Sequence, residues 1–268
     1  MQNFYCKEGV IMKKRLLAAL MAGAMALSMT ACGGSSSGEE TQGSGDDSTA
    51  TAGSYEVGVV QLVQHEALDA ATQGFKDKLE ELIQADGGTV DIQVNNASGD
   101  SANCTTIAND YISSGVDLIM ANGTAALQAA QAGTVDIPIL GTSITDYGTA
   151  LGIDDWTGTT GTNISGTTDL APLDGQADMI QELFPDATNV GMLYCSAEPN
   201  SSYQINTIKP YLEEMGYTCT EYAFTDSNDV ASVAQNAASN SDVIYIPTDN
   251  TAASCTEAIA NVVVPAGV

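Results

Sequence analysis

The residues best suited to chemistry form a polar cluster near the C-terminus, directly after a short apolar stretch. In SDVIYIPTDNTAAS, residues 241–254, the apolar stretch 243–246 is typical of a buried strand in a parallel sheet, and the polar part is typical of a helix start. A carboxylate at Asp249 then has two possible roles. It caps the helix by accepting backbone N–H bonds, or it accepts a charge-assisted hydrogen bond from the ammonium group of a ligand. We favour the ammonium role and keep the cap as the alternative.

Polar side chains also follow the other apolar stretches, and open parallel sheets bind ligands beyond the carboxyl ends of their strands, where helix N-termini supply N–H donors. No arginine follows residue 31, so an anionic group of a ligand must be held by hydroxyls, amides or backbone N–H groups. We expect this near Thr142, Ser143 or Ser196. Glu198 is a further polar residue at the same predicted edge. The predicted ligand-binding residues are Gln64, His65, Asn96, Asn122, Thr124, Thr142, Ser143, Asp169, Ser196, Asn200, Thr225, Asp249 and Asn250.

Common catalytic motifs are absent from the sequence. His65 is the one histidine, and HEALD lacks the second histidine of a zinc-protease helix. After the Gly- and Ser-rich tether, residues 55–268 contain no G-x-S-x-G, Walker or G-x-G-x-x-G motif. We therefore predict that the protein is not an enzyme and that it uses no cofactor and no metal.

The cysteines of the folded part do not have the spacing of a metal site. Cys195 ends one predicted strand and Cys219 begins the next, so in a parallel pair they lie at opposite ends, more than about 10 Å apart. We predict free thiols, mostly buried. The four cysteines are Cys104, Cys195, Cys219 and Cys255.

Strand-like and helix-like stretches alternate from residue 55 onward, and the alternation runs twice. Residues 189–195 repeat the pattern of 55–62, residues 220–229 that of 91–100, and residues 242–253 that of 117–126. Alternation with short connections predicts parallel sheets with helices on both faces. The predicted fold class is α/β, with two Rossmann-like lobes, 55–160 and 161–268, facing each other across a cleft. One large α/β domain is the alternative.

The N-terminal region predicts export and anchoring. A basic patch at 13–15 precedes an apolar run at 16–29 and then small residues up to Cys32, which is the layout of a secretory signal peptide. The segment resembles a bacterial lipobox with Cys32 as the lipidated residue. We predict an upstream extension and lipoprotein signal peptide over 1–31, and a flexible tether over 32–54 that is rich in Gly, Ser and Thr. Ordinary cleavage with Cys32 uninvolved is the alternative.

The formal net charge of −27 limits the kinds of partner that the protein is expected to bind. Three lysines, Lys76, Lys78 and Lys209, are the cations that follow residue 31. Nucleic acid and anionic membrane surfaces are therefore excluded as expected partners, and we predict a monomer.

Several motifs in order resemble one family. VGVVQLVQHEALDAATQGF, GTTDLAP, LFPDATNVGMLY, SAEPNSSYQI and YIPTDNTAAS are similar to ABC-transporter substrate-binding lipoproteins, a family that includes tryptophan- and tyrosine-binding members. The resemblance implies a type I periplasmic-binding fold that closes by a hinge around one small molecule and delivers it to a membrane permease. It implies an aromatic or otherwise apolar amino acid as ligand. A ligand-sensing lipoprotein, a sugar- or nucleoside-binding protein of the same fold, and an acidic structural lipoprotein or adhesin are the alternatives.

The same resemblance carries an expectation for the C-terminus. Relatives continue past VVVPAGV, residues 262–268, with a strand, a helix and a return to the first lobe. The resemblance thus implies that this segment begins a terminal strand and that the second lobe is incomplete.

Overall fold

Five parallel strands form the sheet of the first lobe in a computed structural model that describes residues 53–268. Their bounds are β1 Ser54–Gln61, β2 Thr89–Asn96, β3 Leu118–Asn122, β4 Ile139–Ile144 and β5 Ile164–Thr168. The strand order is β2-β1-β3-β4-β5, and every pair is parallel. Valines in the middle of β1 are buried, as expected for a central strand covered on both faces.

Helices cover both faces of this sheet. They are α1 Glu66–Ala85, α2 Ser101–Ser114, α3 Thr124–Gly133 and α4 Tyr147–Leu151. Tyr111 of α2 lies against β1 where Gly58 has no side chain, and a Cβ at Gly58 would collide with the Tyr111 ring. The Tyr111 hydroxyl donates to Gln93 O at 2.9 Å, which ties α2 to the edge strand β2. On the opposite face, Phe75 of α1 lies near β3 and β4.

The second lobe has three parallel strands and five helices among the described residues. Strands β6 Asn189–Cys195, β7 Thr218–Phe224 and β8 Val243–Tyr245 pair in the order β7-β6-β8. Hydrophobic clusters around Met192 and Leu193 form two separate cores from neighbouring residues of β6, because side chains alternate between the faces of a strand. The helices are α5 Leu173–Leu183, α6 Pro199–Glu214, α7 Val230–Asn240, α8 Asn250–Ser254 and α9 Thr256–Ala266.

The predicted duplication is confirmed by the sheet topology. In each lobe the first strand is flanked by the second strand on one side and the third on the other. Strands β6, β7 and β8 fall at the three repeated stretches that the sequence pairs with β1, β2 and β3. The two lobes therefore share one βαβαβ plan.

Three expectations need correction. The first lobe does not end at residue 160, because β5 at 164–168 pairs with β4 and extends the first sheet. Residues 262–264 do not begin a strand, because they lie in α9, which runs to Ala266 and ends at Gly267 with a φ of 77°. The strand before Asp249 is also shorter than expected, since β8 ends at Tyr245 and Ile246 is partly exposed.

The prediction of free thiols is confirmed for the described residues, whereas burial holds for two of the four cysteines. Cys104, Cys195, Cys219 and Cys255 are free, and the first two are buried. The register of β6 and β7 pairs Val190 with Cys219 and Cys195 with Phe224, which separates the two thiols along the strands. None of the helices within 53–268 is long and apolar enough to cross a membrane. Cys32, the predicted signal peptide and the tether up to residue 52 lie outside the described residues, whereas Ser54, at the end of the predicted tether, is the first residue of β1.

Candidate ligand-binding site between the lobes

A cavity of about 190 Å³ lies between the two lobes. The first lobe contributes Leu62, Val63, Ser98, Gly99, Ser101 and Ala125. The second lobe contributes Cys195, Ala197, Glu198, Pro199 and Asn200 after β6, Thr225, Asp226 and Ser227 after β7, and Thr251 and Ser254 of α8.

The strand order explains why the cavity forms at this place. In both sheets the chain moves from the first strand to one neighbour and later returns to the other, so the loops that follow the first and third strands diverge and leave a crevice. Leu62 and Ala125 follow β1 and β3 in the first lobe. Cys195 and Thr251 lie at the corresponding places in the second lobe. Two such crevices face each other across the cavity.

Glu198 is the most heavily hydrogen-bonded side chain of the cavity wall, and it is buried. Its Oε1 accepts from Thr251 N at 2.8 Å and Thr251 Oγ1 at 2.7 Å. Its Oε2 accepts from Asn250 N at 3.1 Å, Asn250 Nδ2 at 2.8 Å and Asn200 Nδ2 at 3.1 Å. Glu198 thus binds the start of α8 to the start of α6.

Asp249 supports the same wall from behind, since it does not line the cavity. Its Oδ1 accepts from Ala252 N at 2.8 Å, which is the bond of a helix cap, and its Oδ2 accepts from Cys195 N at 2.6 Å. Burial, and then the nearby charge of Glu198, raise the pKa of Asp249 to about 6. The cap that the sequence left as an alternative is therefore present, while the ligand role of Asp249 stays a prediction.

The loop between β8 and α8 is held by two amide side chains of α6. Gln204 accepts from Thr248 N at 3.0 Å and donates to Thr248 O at 3.0 Å. Asn200 Nδ2 also donates to Thr248 O, at 3.2 Å. Across the lobes, His65 Nε2 lies 3.4 Å from Asn250 Oδ1. These contacts fix the position of the residues that carry the wall.

The electrostatic character of the cavity is negative. Glu198 and Asp226 bring carboxylates to it, and within residues 53–268 no lysine, arginine or histidine lines it. Lys78 pairs with Glu81, and Lys209 pairs with Glu221. Clusters of three or more His, Cys, Asp or Glu side chains that could hold a metal do not occur in the part of the chain that the structure describes.

The predicted ligand-binding residues lie in several places. Asn200 and Thr225 line the cavity, whereas His65, Asp249 and Asn250 line a separate apolar groove of about 410 Å³ behind α8. Asn122 and Thr124 are buried in the first lobe, and Thr142 lines a groove on the β4–β5 face. Four others have local or exposed positions: Ser196 bonds to Phe224 O, Asn96 accepts from Ser98 N, and Gln64 and Asp169 are exposed. Ser143 is partly buried and has a φ of 56°.

The cavity also contains residues that the sequence prediction missed. Glu198 was noted at the predicted edge but was not selected, and its place just before Pro199 at the start of α6 was the available signal. The predicted ligand-binding residues are all polar, so the prediction did not include the apolar residues Leu62, Val63 and Ala125. Their position one to three residues after a strand could have identified them.

Residues 56–266 match the family described as ABC transporter substrate binding protein. The chain belongs to this family. It is 33% identical over 245 residues to a tyrosine-binding protein of Clostridioides difficile (strain R20291), an alignment that covers 90% of this chain and 69% of that relative. Substrate-binding proteins of ABC transporters work outside the cytoplasm, and this family is not an enzyme family.

Two solved structures place the fold among the type I periplasmic-binding proteins. An ABC domain in complex with L-Trp from Streptococcus pneumonia is 32% identical with a TM-score of 0.72, covering 78% of this chain and 71% of that one. A ligand-free, open substrate-binding protein with adhesive properties from Clostridium difficile is 34% identical with a TM-score of 0.55, covering 80% and 72%. This chain therefore spans about seven-tenths of these relatives.

Proposed function

We propose that this family member binds a zwitterionic amino acid with an aromatic or apolar side chain in the interlobe cavity and presents it to an ABC permease. The main support for this proposal is the cavity itself. It lies at the strand ends of both lobes and combines carboxylate, amide and hydroxyl groups with apolar residues. The named ligands of two relatives, tyrosine and L-Trp, support the ligand class.

The proposed ligand contacts follow from which residues line the cavity. Of the predicted residues, Asn200 and Thr225 are proposed to contact the ligand directly. Asp249 and Asn250 are proposed to act indirectly, because their hydrogen bonds hold α8 and the Glu198 carboxylate in place. Leu62 and Val63 provide an apolar surface on the first lobe.

A titration with the twenty standard amino acids tests this proposal. A ligand that binds the folded state alone stabilises it by about 2.7 kcal/mol at a concentration of one hundred times Kd. We expect L-Trp, L-Tyr or another apolar amino acid to raise Tm and to give saturable heat in calorimetry. A set of sugars and nucleosides serves as the control panel. Stabilisation by a sugar or nucleoside with no response to any amino acid would contradict the proposal.

We also propose that Cys32 carries a lipid anchor and that the protein acts as a monomer beside its permease. The basic patch, the apolar run and the Gly-Ser segment around Cys32 support the anchor. A lipid chain binds membranes through about 0.8 kcal/mol per buried CH₂, so losing it releases the protein. Cell fractionation of Cys32→Ser should find the protein in the soluble fraction. Membrane retention equal to that of the parent would exclude Cys32 as the anchor.

A further inference from the structure

Three buried side-chain polar atoms lack a hydrogen-bond partner among the described residues, namely Asn122 Oδ1, Asn200 Oδ1 and Ser241 Oγ. Asn200 is the one of these residues that lines the interlobe cavity. Asn200 is 4% exposed, so bulk water does not reach its Oδ1 to donate a hydrogen bond. Buried polar atoms are normally paired, and an exception at a cavity wall points to a partner that a ligand supplies.

The orientation of the Asn200 amide is fixed by its neighbours. Its Nδ2 donates to Glu198 Oε2 at 3.1 Å and to Thr248 O at 3.2 Å, and both of these atoms are acceptors. The flipped amide would place its oxygen against a carboxylate and a carbonyl, with no proton between them. Oδ1 is therefore the acceptor of this amide that remains unpaired beside the cavity wall.

Glu198 decides what kind of donor this is. Its two oxygens already accept five hydrogen bonds, so its lone pairs are used. Glu198 can therefore attract a ligand through its negative charge rather than through a further hydrogen bond. Glu198 is 7% exposed, and no cationic side chain among residues 53–268 lines the cavity beside it. A buried charge is stabilised by an opposite charge nearby. A neutral N–H or O–H would satisfy Asn200 Oδ1 but would leave this charge unbalanced.

We propose that Asn200 Oδ1 and the Glu198 charge form a subsite for the ammonium group of the ligand, and that this subsite, rather than any contact to a carboxylate, determines affinity. The inference rests on the proposed function because it concerns the same cavity. It assigns the ammonium to Asn200 and Glu198 instead of Asp249, which does not line the cavity and whose oxygens accept from Ala252 N and Cys195 N.

The opposite wall offers a weaker site for the ligand carboxylate. Ala125 lies in the first turn of α3, whose N-cap Gly123 provides no side chain to the first N–H groups. Such N–H groups attract a carboxylate, but no positive side chain reinforces them and the carboxylates of Glu198 and Asp226 oppose them. Loss of the ligand carboxylate should therefore weaken binding less than loss of the amine does.

Calorimetric titration of three related compounds tests the subsite. L-Trp carries both groups, tryptamine lacks the carboxylate, and indole-3-propionate lacks the amine; the corresponding tyrosine series is used if L-Tyr binds more tightly. A charge-assisted hydrogen bond corresponds to about ten- to hundredfold in affinity. We expect tryptamine to bind within about tenfold of L-Trp and indole-3-propionate to bind at least about a hundredfold more weakly.

Glu198→Gln supplies the matched variant, because it keeps the shape of the side chain and removes the charge. It should reduce the preference for tryptamine over indole-3-propionate by about tenfold or more, while Glu182→Gln, at an exposed position of α5 that does not line the cavity, should leave the preference unchanged. Equal binding of the two analogues to the parent would overturn the subsite and leave the proposed function intact. Failure of all members of both series to bind would overturn the aromatic ligand class, and the subsite with it.

Discussion

Asp249 illustrates how one carboxylate can stabilise a wall that it does not line. Each of its oxygens accepts a backbone N–H, one at the end of β6 and one in α8. Asparagine would retain a single acceptor oxygen, so one of the two N–H groups would face an amide donor. Asparagine normally caps a helix about as well as aspartate, but the second bond removes that equivalence here.

We expect Asp249→Asn to lower the free energy of unfolding at pH 7 by about 1–3 kcal/mol, the cost of leaving a buried N–H without a partner. The pKa of Asp249 is raised from 3.8 to about 6, chiefly by burial and then by Glu198. Between these values the folded state binds more protons than the unfolded state, so proton uptake by Asp249 adds a second, separate stabilisation of the parent, which is complete below pH 3.8 and is lost as the pH rises through about 6.

Denaturant unfolding of parent and variant at pH 4 to 7 measures this contribution. The parent should gain stability relative to Asp249→Asn as the pH falls, because the variant cannot take up that proton. Asp226→Asn, at an exposed position, is the control for a general effect of removing one negative charge. A parent–variant difference that stays constant across this range would contradict the raised pKa.

At the residue scale, the sequence located the strand ends but could not sort the side chains that follow them. Asn200 and Asp249 both follow a strand within a few residues, yet one lines the cavity and the other lies behind it. The difference depends on how each helix start is turned against the opposite lobe. Contacts such as His65 with Asn250, 185 residues apart, determine that arrangement and leave no local sequence pattern.

At the scale of elements, the spacing of hydrophobic residues was sufficient to predict strands that are buried in a sheet. The three repeated stretches predicted β6, β7 and β8 because buried parallel strands require short apolar runs. Helix α1 ends at Ala85, shortly before Gly87, whose φ of 79° suits glycine after a helix end.

The strand expected at the valine run 262–264 is the element that was predicted wrongly. Residues 262–264 are β-branched and suggest a strand, yet they form the last turns of α9, which packs against α7. Tertiary packing overrides propensity in such a segment. The lobe boundary was misplaced for a related reason: β5, ISGTT, is mostly exposed and polar, so hydrophobicity does not mark it as a strand.

At the scale of the whole molecule, the protein superposes better on a ligand-bound relative than on an open one. Sequence identity to the L-Trp complex and to the ligand-free open protein is similar, at 32% and 34%, but the TM-scores are 0.72 and 0.55. The two relatives cover nearly the same share of this chain, so coverage does not explain the difference. Closure by a hinge is the expected motion of such a fold.

We expect a bound ligand to protect Cys195. Cys195 lines the cavity and is 1% exposed, and burial raises the pKa of its thiol. Because it also belongs to the core of the second lobe around Leu193, its reaction with a maleimide should require local opening of the cavity wall, which a ligand bound there opposes. Cys219 lies at the opposite end of the paired strand, away from the cavity, and provides an internal control in the same chain.

The most direct test of binding between the lobes is the rate of Cys195 modification by N-ethylmaleimide, followed by peptide mass spectrometry with and without saturating L-Trp or L-Tyr. A ligand that holds the lobes closed at ten times Kd should slow the reaction of Cys195 by about tenfold, in proportion to the remaining free protein, and should leave Cys219 unchanged. A Cys195 rate that does not change at a concentration shown by calorimetry to saturate the protein would contradict a ligand site between the lobes.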